Sequence, residues 1–371
     1  MSPTQLLALL VHQGTLSPDA ARGALQSGDP ERFLIDQGVC SPAQWQDWLA
    51  SEGGTRPQLS RYELGERIGE GGVGRVFAAT DRTDGQTMAL KVLKAELASD
   101  PIQTERFVRE AKLLMDLDHA HLVKGLRVAK EGDTIFFAME NLPGRCLQDV
   151  LADGGTVVDG ESLGAVGEGR MDEDAALQVV VDIAGALAAL HARGLVHRDV
   201  KPGNVIWSEE RGAVLIDLGF AVQGDEAQNS DTTAGTVHYI APEQARGDGK
   251  LDVRADIYSL GATLYHLTTG SLPFEGRTSE EVLAKQVLES LSGERIRALQ
   301  LSPQLHYYLE KMMAKDPEMR FQSPQQLEGE VKAFLDQRRH QREVEQKQQQ
   351  RPKLGDRRRS GLDRGSRRRR R

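Results

Sequence analysis

His197-Arg198-Asp199-Val200-Lys201-Pro202-Gly203-Asn204 falls between two short apolar runs, Gly194-Leu195-Val196 and Val205-Ile206-Trp207. Such runs read as buried strands, and polar residues clustered in a loop between core strands rarely have a purely structural reason. Thirteen residues after Asn204 comes Asp217, in Asp217-Leu218-Gly219, preceded by the apolar Val214-Leu215-Ile216. An Asp at such a strand end is placed to hold a metal. Oxygen ligands from Asn204 and Asp217 suit Mg2+, which binds through few protein ligands and fills its shell with phosphates and water.

Working upstream, Gly69-Glu70-Gly71-Gly72-Val73-Gly74-Arg75-Val76 fits the spacing G-x-G-x-x-G-x-V. A Rossmann loop has the same glycine spacing but opens a helix, whereas Val76-Phe77-Ala78-Ala79 continues as strand. A glycine hairpin lets backbone N–H groups approach phosphate oxygens without side-chain obstruction; a plain turn would look the same. Lys91 interrupts the apolar strand Ala89-Leu90-Lys91-Val92. It either snorkels to solvent or meets a phosphate and a carboxylate. Glu110, on the next helix, is the carboxylate candidate, and an exposed helix glutamate is the alternative.

Around these residues the pattern is α+β. Short strands with turn residues between them start at Tyr62: Arg75–Ala79 and Met88–Val92 flank Asp84-Gly85, a hairpin signal, and Leu122–Val128 precedes Thr134–Met139. With one helix over Glu105–Leu117 they form a small antiparallel lobe, about 61–140. Residues 141–336 are mainly helical, with helices over Asp172–His191, over Asp256–Thr269 (ended by Gly270) and from Ser323-Pro324 onward. Asp153–Gly169 reads as an exposed insertion loop. Residues 1–55 are a small helical region with a weak repeat, His12–Ala20 against Asp36–Gln44, each carrying a Ser-Pro helix start; a protein-binding or spacer role suits it. Residues 338–371 hold 15 Lys and Arg against 4 Asp and Glu in a chain whose formal net charge is −8, so an acidic body carries a basic tail. The tail has almost no apolar residues and reads as disordered. Leu6–Val11 is too short and wrongly flanked for a signal peptide, and no later stretch approaches a membrane span. Cys40 and Cys146 lie far apart and make no metal pattern, which suits a reducing, cytoplasmic location.

Taken together, these motifs closely resemble the eukaryotic-like (Hanks-type) serine/threonine protein kinases of bacteria over about 275 residues. The resemblance implies a two-lobed kinase fold over 61–336 and transfer of the γ-phosphate of ATP to protein Ser or Thr hydroxyls, with Mg2+ as cofactor and Mn2+ as a possible substitute. It implies that Gly69, Gly71 and Gly74 cover the ATP phosphates and that Lys91 pairs the α/β-phosphates and Glu110. Val76, Ala89, Met139 (the gatekeeper) and the hinge residues Glu140 and Leu142 complete the nucleotide site. Asp199 would orient and deprotonate the substrate hydroxyl, Lys201 contact the transferring group, and Asn204 and Asp217 hold the metal. Gly235–Glu243 matches the substrate loop, with Thr236 beside Asp199. Glu243 is expected to pair with Arg320, and Asp256 to brace the catalytic loop.

Leu218 stands where most of the family has Phe, and fills an apolar slot equally well. Arg198 suggests control by a phosphate on the loop 220–234, with Thr232 or Thr233 as autophosphorylation sites; Ser360 and Ser366 are further candidates. The arginine tail could meet acidic protein, nucleic acid or anionic lipid, but it lacks the aromatic residues that stack on bases. A pseudokinase scaffold, a small-molecule phosphotransferase and a nucleic-acid binder are the rival functions. The scaffold predicts loss of Lys91, Asp199, Asn204 or Asp217, and all four are present.

Overall fold

In the computed structural model the described residues are 6–349, other than 8–9, 12–14, 43, 46–47, 49–56, 153–164, 168–169, 219–221, 224–235, 249–250 and 292–300. The chain divides into two compact units, Met1–Leu117 with Lys124–Leu142, and Asp118–Val123 with Pro143–Arg371.

The first unit opens with helices α1 (Pro18–Gln26) and α2 (Pro30–Asp36), each starting with Pro in its first turn. Ser17 caps α1 by accepting from the Ala20 N–H, and Asp29 caps α2 by accepting from Arg32. Ser41 and Gln44 exchange side-chain-to-backbone hydrogen bonds, a capping box, so both Ser-Pro signals do start helical turns. Leu6, Leu7, Leu10, Leu16, Leu34 and Trp45 give this region an apolar core of its own.

Next come β1 (Tyr62–Glu70), β2 (Gly74–Asp81), β3 (Thr87–Leu93), the short α3 (Ala95–Ala98), α4 (Pro101–Asp116), β4 (Gly125–Glu131) and β5 (Thr134–Glu140). The strands make one antiparallel sheet in the order β1-β2-β3-β5-β4. β3 is central and buried from Met88 to Leu93, which is why it reads as an apolar run with Lys91 as its one charged residue. Tyr62, Phe77, Leu90, Val92 and Phe136 pack on one face, and the Tyr62 and Phe136 rings meet edge to face at 5.5 Å. The spacing predicts a strand from Leu122; instead β4 begins at Gly125, and Leu122, which belongs with the second unit, forms a parallel bridge with Leu215 there. The Val123 N–H donates to the Leu215 carbonyl at 2.9 Å.

In the second unit β6 (Arg145–Cys146) leads into α5 (Leu147–Ala152). Of the insertion, only the backbone pairing of β7 (Ala165–Gly167) with β8 (Arg170–Met171) is described. Then follow α6 (Glu173–His191), β9 (Leu195–Val196), β10 (Val205–Ser208), β11 (Gly212–Leu215) and β12 (Val222–Gln223). The helices α7 (Pro242–Ala245), α8 (Val253–Thr269), α9 (Ser279–Leu288), α10 (Pro303–Met312) and α11 (Pro324–Gln349) complete it. α6 packs against α8, α11 and β11 and is apolar on most sides. That makes it long and apolar enough to pass for a membrane span, but 67% of its apolar window is buried inside the protein, as a core helix requires. α8 begins three residues before the predicted Asp256, with Asp252 as its cap, and ends at Gly270 in the left-handed region, φ 67°.

The composition puts residues 338–349 in a disordered tail, yet α11 runs through them to Gln349. Arg338 reaches Asp174 at 2.6 Å, Arg342 reaches the same carboxylate at 2.7 Å, and Arg339 donates to Gln178 at 2.8 Å. These cations tie the helix to the start of α6, and Gln, Arg, Glu and Lys are good helix formers once anchored. Residues 350–371, including Ser360 and Ser366, lie outside the described residues.

Candidate active site

Two groups of side chains matter, one in each unit. In the first, Lys91 is only 8% exposed and Glu110 5%. The Lys91 ammonium donates to Glu110 Oε1 at 2.7 Å. Glu110 shares the inward face of α4 with Phe107, Ala111 and Leu114. So the lysine does not snorkel and the glutamate is not a solvated one. Burying both charges is costly unless something else uses them. Val76 sits across from Lys91 in the β2–β3 register, and Ala89 across from Met139 in β3–β5; Ala89 and Met139 are buried. Glu140 ends β5 with its N–H given to the Lys124 carbonyl at 3.0 Å, and Leu142 is half-buried in irregular chain beyond it.

The glycine loop joins antiparallel strands, with Gly69 opposite Val76 and the Gly71 N–H donating to the Gly74 carbonyl at 2.9 Å. A Cβ on Gly74 would lie 2.8 Å from the Val92 carbonyl, so strand packing alone demands glycine there. At Gly69 and Gly71 an added Cβ meets nothing nearer than 3.7 Å and 3.9 Å. Packing does not explain those two; backbone left uncovered at such a turn is what an anionic ligand would need.

In the second unit the loop between β9 and β10 is built around Asp199. Its carboxylate accepts from Lys201 Nζ at 3.0 and 2.7 Å and from Asn204 Nδ2 at 2.9 Å. Asn204 Nδ2 also donates to the Asp199 carbonyl at 2.7 Å, so its Oδ1 is the atom that would ligate a cation. The Asp199 N–H donates to His197 Nδ1 at 3.2 Å, which leaves the imidazole proton on Nε2 to meet the Asp217 carbonyl at 2.6 Å. His197 thereby ties the Asp217 backbone to the loop between β9 and β10, a role that its place beside Arg198-Asp199 hints at but does not specify. Asp256, buried in α8, accepts from the His197 N–H at 2.8 Å and the Arg198 N–H at 2.7 Å. Those two bonds hold Arg198 at φ 69°, where non-glycine residues are rare. Burial pushes the Asp256 carboxyl above its usual range, against the pull of His197 and of the two N–H donors. Gln244, which no sequence motif singles out, donates to the Arg198 carbonyl at 3.2 Å.

Leu218 is buried, filling the apolar slot expected of it. Glu243 and Arg320 meet through two parallel bonds of 2.7 and 2.8 Å. Thr236 begins a 3₁₀ turn ending at His238; Thr232, Thr233 and Gly219 lie outside the described residues. Among the described residues no three His, Cys, Asp or Glu side chains cluster as metal ligands. An Asn204–Asp217 pair would leave most of the shell to phosphate and water, as Mg2+ prefers.

Just beyond the turn, the Tyr239 hydroxyl meets His266 Nδ1 at 2.7 Å. Burial, with His238 nearby, pushes the His266 imidazole down from 6.5 to about 4. The unfolded chain therefore binds a proton that the folded one refuses between these values. This contribution to stability is complete above about pH 6.5 and is lost as pH falls towards about 4. The melting temperature should fall more steeply over that window in the wild type than in His266→Asn; parallel profiles would contradict it.

The protein kinase domain model matches residues 62–331. The serine/threonine-protein kinase PknB of Mycobacterium tuberculosis is 35% identical over 279 residues, covering 73% of this chain and 42% of that protein. PknB of Mycobacterium leprae is 35% identical over 285 residues, 75% of this chain and 43% of its own. A probable serine/threonine-protein kinase of Clostridium perfringens is 31% identical over 274 residues, 73% of this chain and 38% of its own. The chain spans about two fifths of the length of these curated relatives. With a family model covering most of its length and the family's polar residues gathered as described, the chain belongs to the protein kinase domain family.

Proposed function

We propose that this chain is a serine/threonine protein kinase that transfers the γ-phosphate of Mg-ATP to Ser or Thr hydroxyls of proteins. The observation that carries this reading is the arrangement at Asp199: a buried carboxylate held by Lys201 and Asn204, on a loop braced by Asp256. Phosphoryl transfer needs little covalent help, so a site that fixes positions and supplies positive charge is sufficient. Asp199 orients the acceptor hydroxyl and takes its proton as the oxygen bonds to the γ-phosphorus and the bond to the leaving ADP breaks. Lys201, adjoining Asp199, neutralises charge on the group in transfer. Lys91, aligned by Glu110, holds the α/β-phosphates under the backbone of Gly69, Gly71 and Gly74. Asn204 and Asp217 would hold Mg2+, or Mn2+ in its place, which when bound neutralises charge on the phosphate oxygens.

The same reading takes the hydroxyls of 220–234, Thr232 and Thr233 first among them, as autophosphorylation sites whose phosphate pairs with Arg198. It puts the enzyme in the cytoplasm. The helical region before residue 55 would bind a protein partner, and the basic tail acidic protein, nucleic acid or anionic lipid.

The test is transfer of label from γ-labelled ATP and Mg2+ to a generic basic protein, followed by phosphoamino-acid analysis. Phosphoserine and phosphothreonine that disappear on chelating the metal are expected. ATP binding without any transfer, after phosphate or a phosphomimic is installed in the 220–234 loop, would move the assignment to a nucleotide-binding scaffold.

A further inference from the structure

The turn Thr236–His238 is gripped from behind by one buried side chain, Gln286 of α9, which is fully out of solvent. Its Nε2 donates to the His238 carbonyl at 2.7 Å and the Val237 carbonyl at 3.3 Å. Its Oε1 accepts from the Tyr258 hydroxyl of α8 at 2.6 Å. The Tyr258 oxygen in turn accepts from Lys315 Nζ at 3.0 Å, and Lys315 also donates to the Gln286 main-chain carbonyl at 2.7 Å. The bonds run in one direction. With Lys315 donating to it, Tyr258 has only its own proton to give Gln286, which turns the amide nitrogen towards the loop.

His238 is held a second time, its Nδ1 meeting the Phe274 carbonyl at 3.2 Å, while the Phe274 ring lies 4.3 Å from the Lys315 ammonium. Gln286 shares the inward face of α9 with Val282, where packing alone would be met by a leucine. A buried amide is tolerated only when its groups are paired, and every partner here belongs either to the turn or to the chain of donors behind it.

We propose that Gln286 is a positioning residue for the peptide substrate: backed by Tyr258 and Lys315, it fixes the carbonyls of Val237 and His238 and so the shape of the turn against which the acceptor peptide lies. This inference rests on the kinase reading, in which Gly235–Glu243 forms the peptide site.

Steady-state kinetics with a phosphorylatable peptide tests it. Gln286→Leu, which keeps the volume and removes the donors, is expected to raise KM for the peptide about tenfold, with kcat and KM for ATP within about twofold. Gln286→Glu should be at least as damaging, since a carboxylate cannot donate to two carbonyls. Tyr258→Phe, which removes only the hydroxyl behind Gln286, should raise the same KM about threefold. Should Gln286→Leu lose its cooperative thermal transition, Tyr258→Phe decides alone. A wild type that labels no peptide fails the kinase reading itself. A labelled peptide with unchanged KM in the folded variants, or a loss confined to kcat, overturns the positioning role.

Discussion

Replacing Asp199 by Asn is expected to lower phosphoryl transfer to protein by about 10²–10⁴-fold, the range a positioned general base supplies. Asn keeps the shape of the side chain and one oxygen that can still accept from Lys201 or Asn204, so the loop has little reason to move. What it lacks is a group able to receive the hydroxyl proton. It also turns an NH2 group towards donors that the carboxylate now satisfies, Lys201 at 2.7 Å and Asn204 at 2.9 Å. That mismatch costs about 1–3 kcal/mol locally, and a melting curve separates it from loss of chemistry. ATP affinity should stay within a few-fold, because the residues that would hold the α/β-phosphates, Lys91 and Glu110, are untouched. Transfer within tenfold of wild type would remove Asp199 from its role and leave the site without its base.

The candidate catalytic residues are legible because each breaks a local rule. A lysine in the middle of a buried strand, a polar loop between core strands and an Asp at a strand end are all costly choices for packing alone. Their elements are legible for the opposite reason: Ser17-Pro18, Asp84-Gly85 and Thr269-Gly270 obey turn and cap chemistry, which acts within a few residues. What the sequence hides is contact between distant segments. Arg338 and Arg342 look like the start of a solvated polycation until Asp174, over 150 residues earlier, is placed beside them. Leu122 looks like part of a strand because its partner, Leu215, is remote. Gln286 looks like an ordinary helix-surface residue, since nothing near it in sequence announces the Val237 and His238 carbonyls. Asp256 reads as the first residue of its helix because polar residues cluster there, whereas the helix starts at Val253 and buries that carboxylate.

Truncating Arg320 to Ala should destabilise the second unit by about 3–5 kcal/mol, the usual consequence of leaving a buried charge without its partner. Arg320 is 2% exposed and Glu243 8%. The guanidinium spends its remaining donors on the carbonyls of Ala314 at 2.7 Å, Arg254 at 2.8 Å and Lys315 at 3.2 Å. One side chain thus ties Glu243 of α7 to the start of α8 and to the turn after α10. Lys in its place should recover little, because a single ammonium cannot reproduce the planar fork that meets both Glu243 oxygens. Much of the cost lies in the stranded Glu243 carboxylate rather than in a lost net attraction. The double variant Arg320→Met, Glu243→Leu should therefore be destabilised by less than the sum of the two single changes, by 1 kcal/mol or more on the order expected for contacting residues. Urea unfolding followed by a probe in the second unit measures all four proteins. Strict additivity would mean that the two residues stabilise independently and that Glu243 is not stranded when Arg320 is lost. A double variant as stable as the wild type would mean that apolar packing can supply the same stability, and would leave the pair the role of fixing where Glu243 sits.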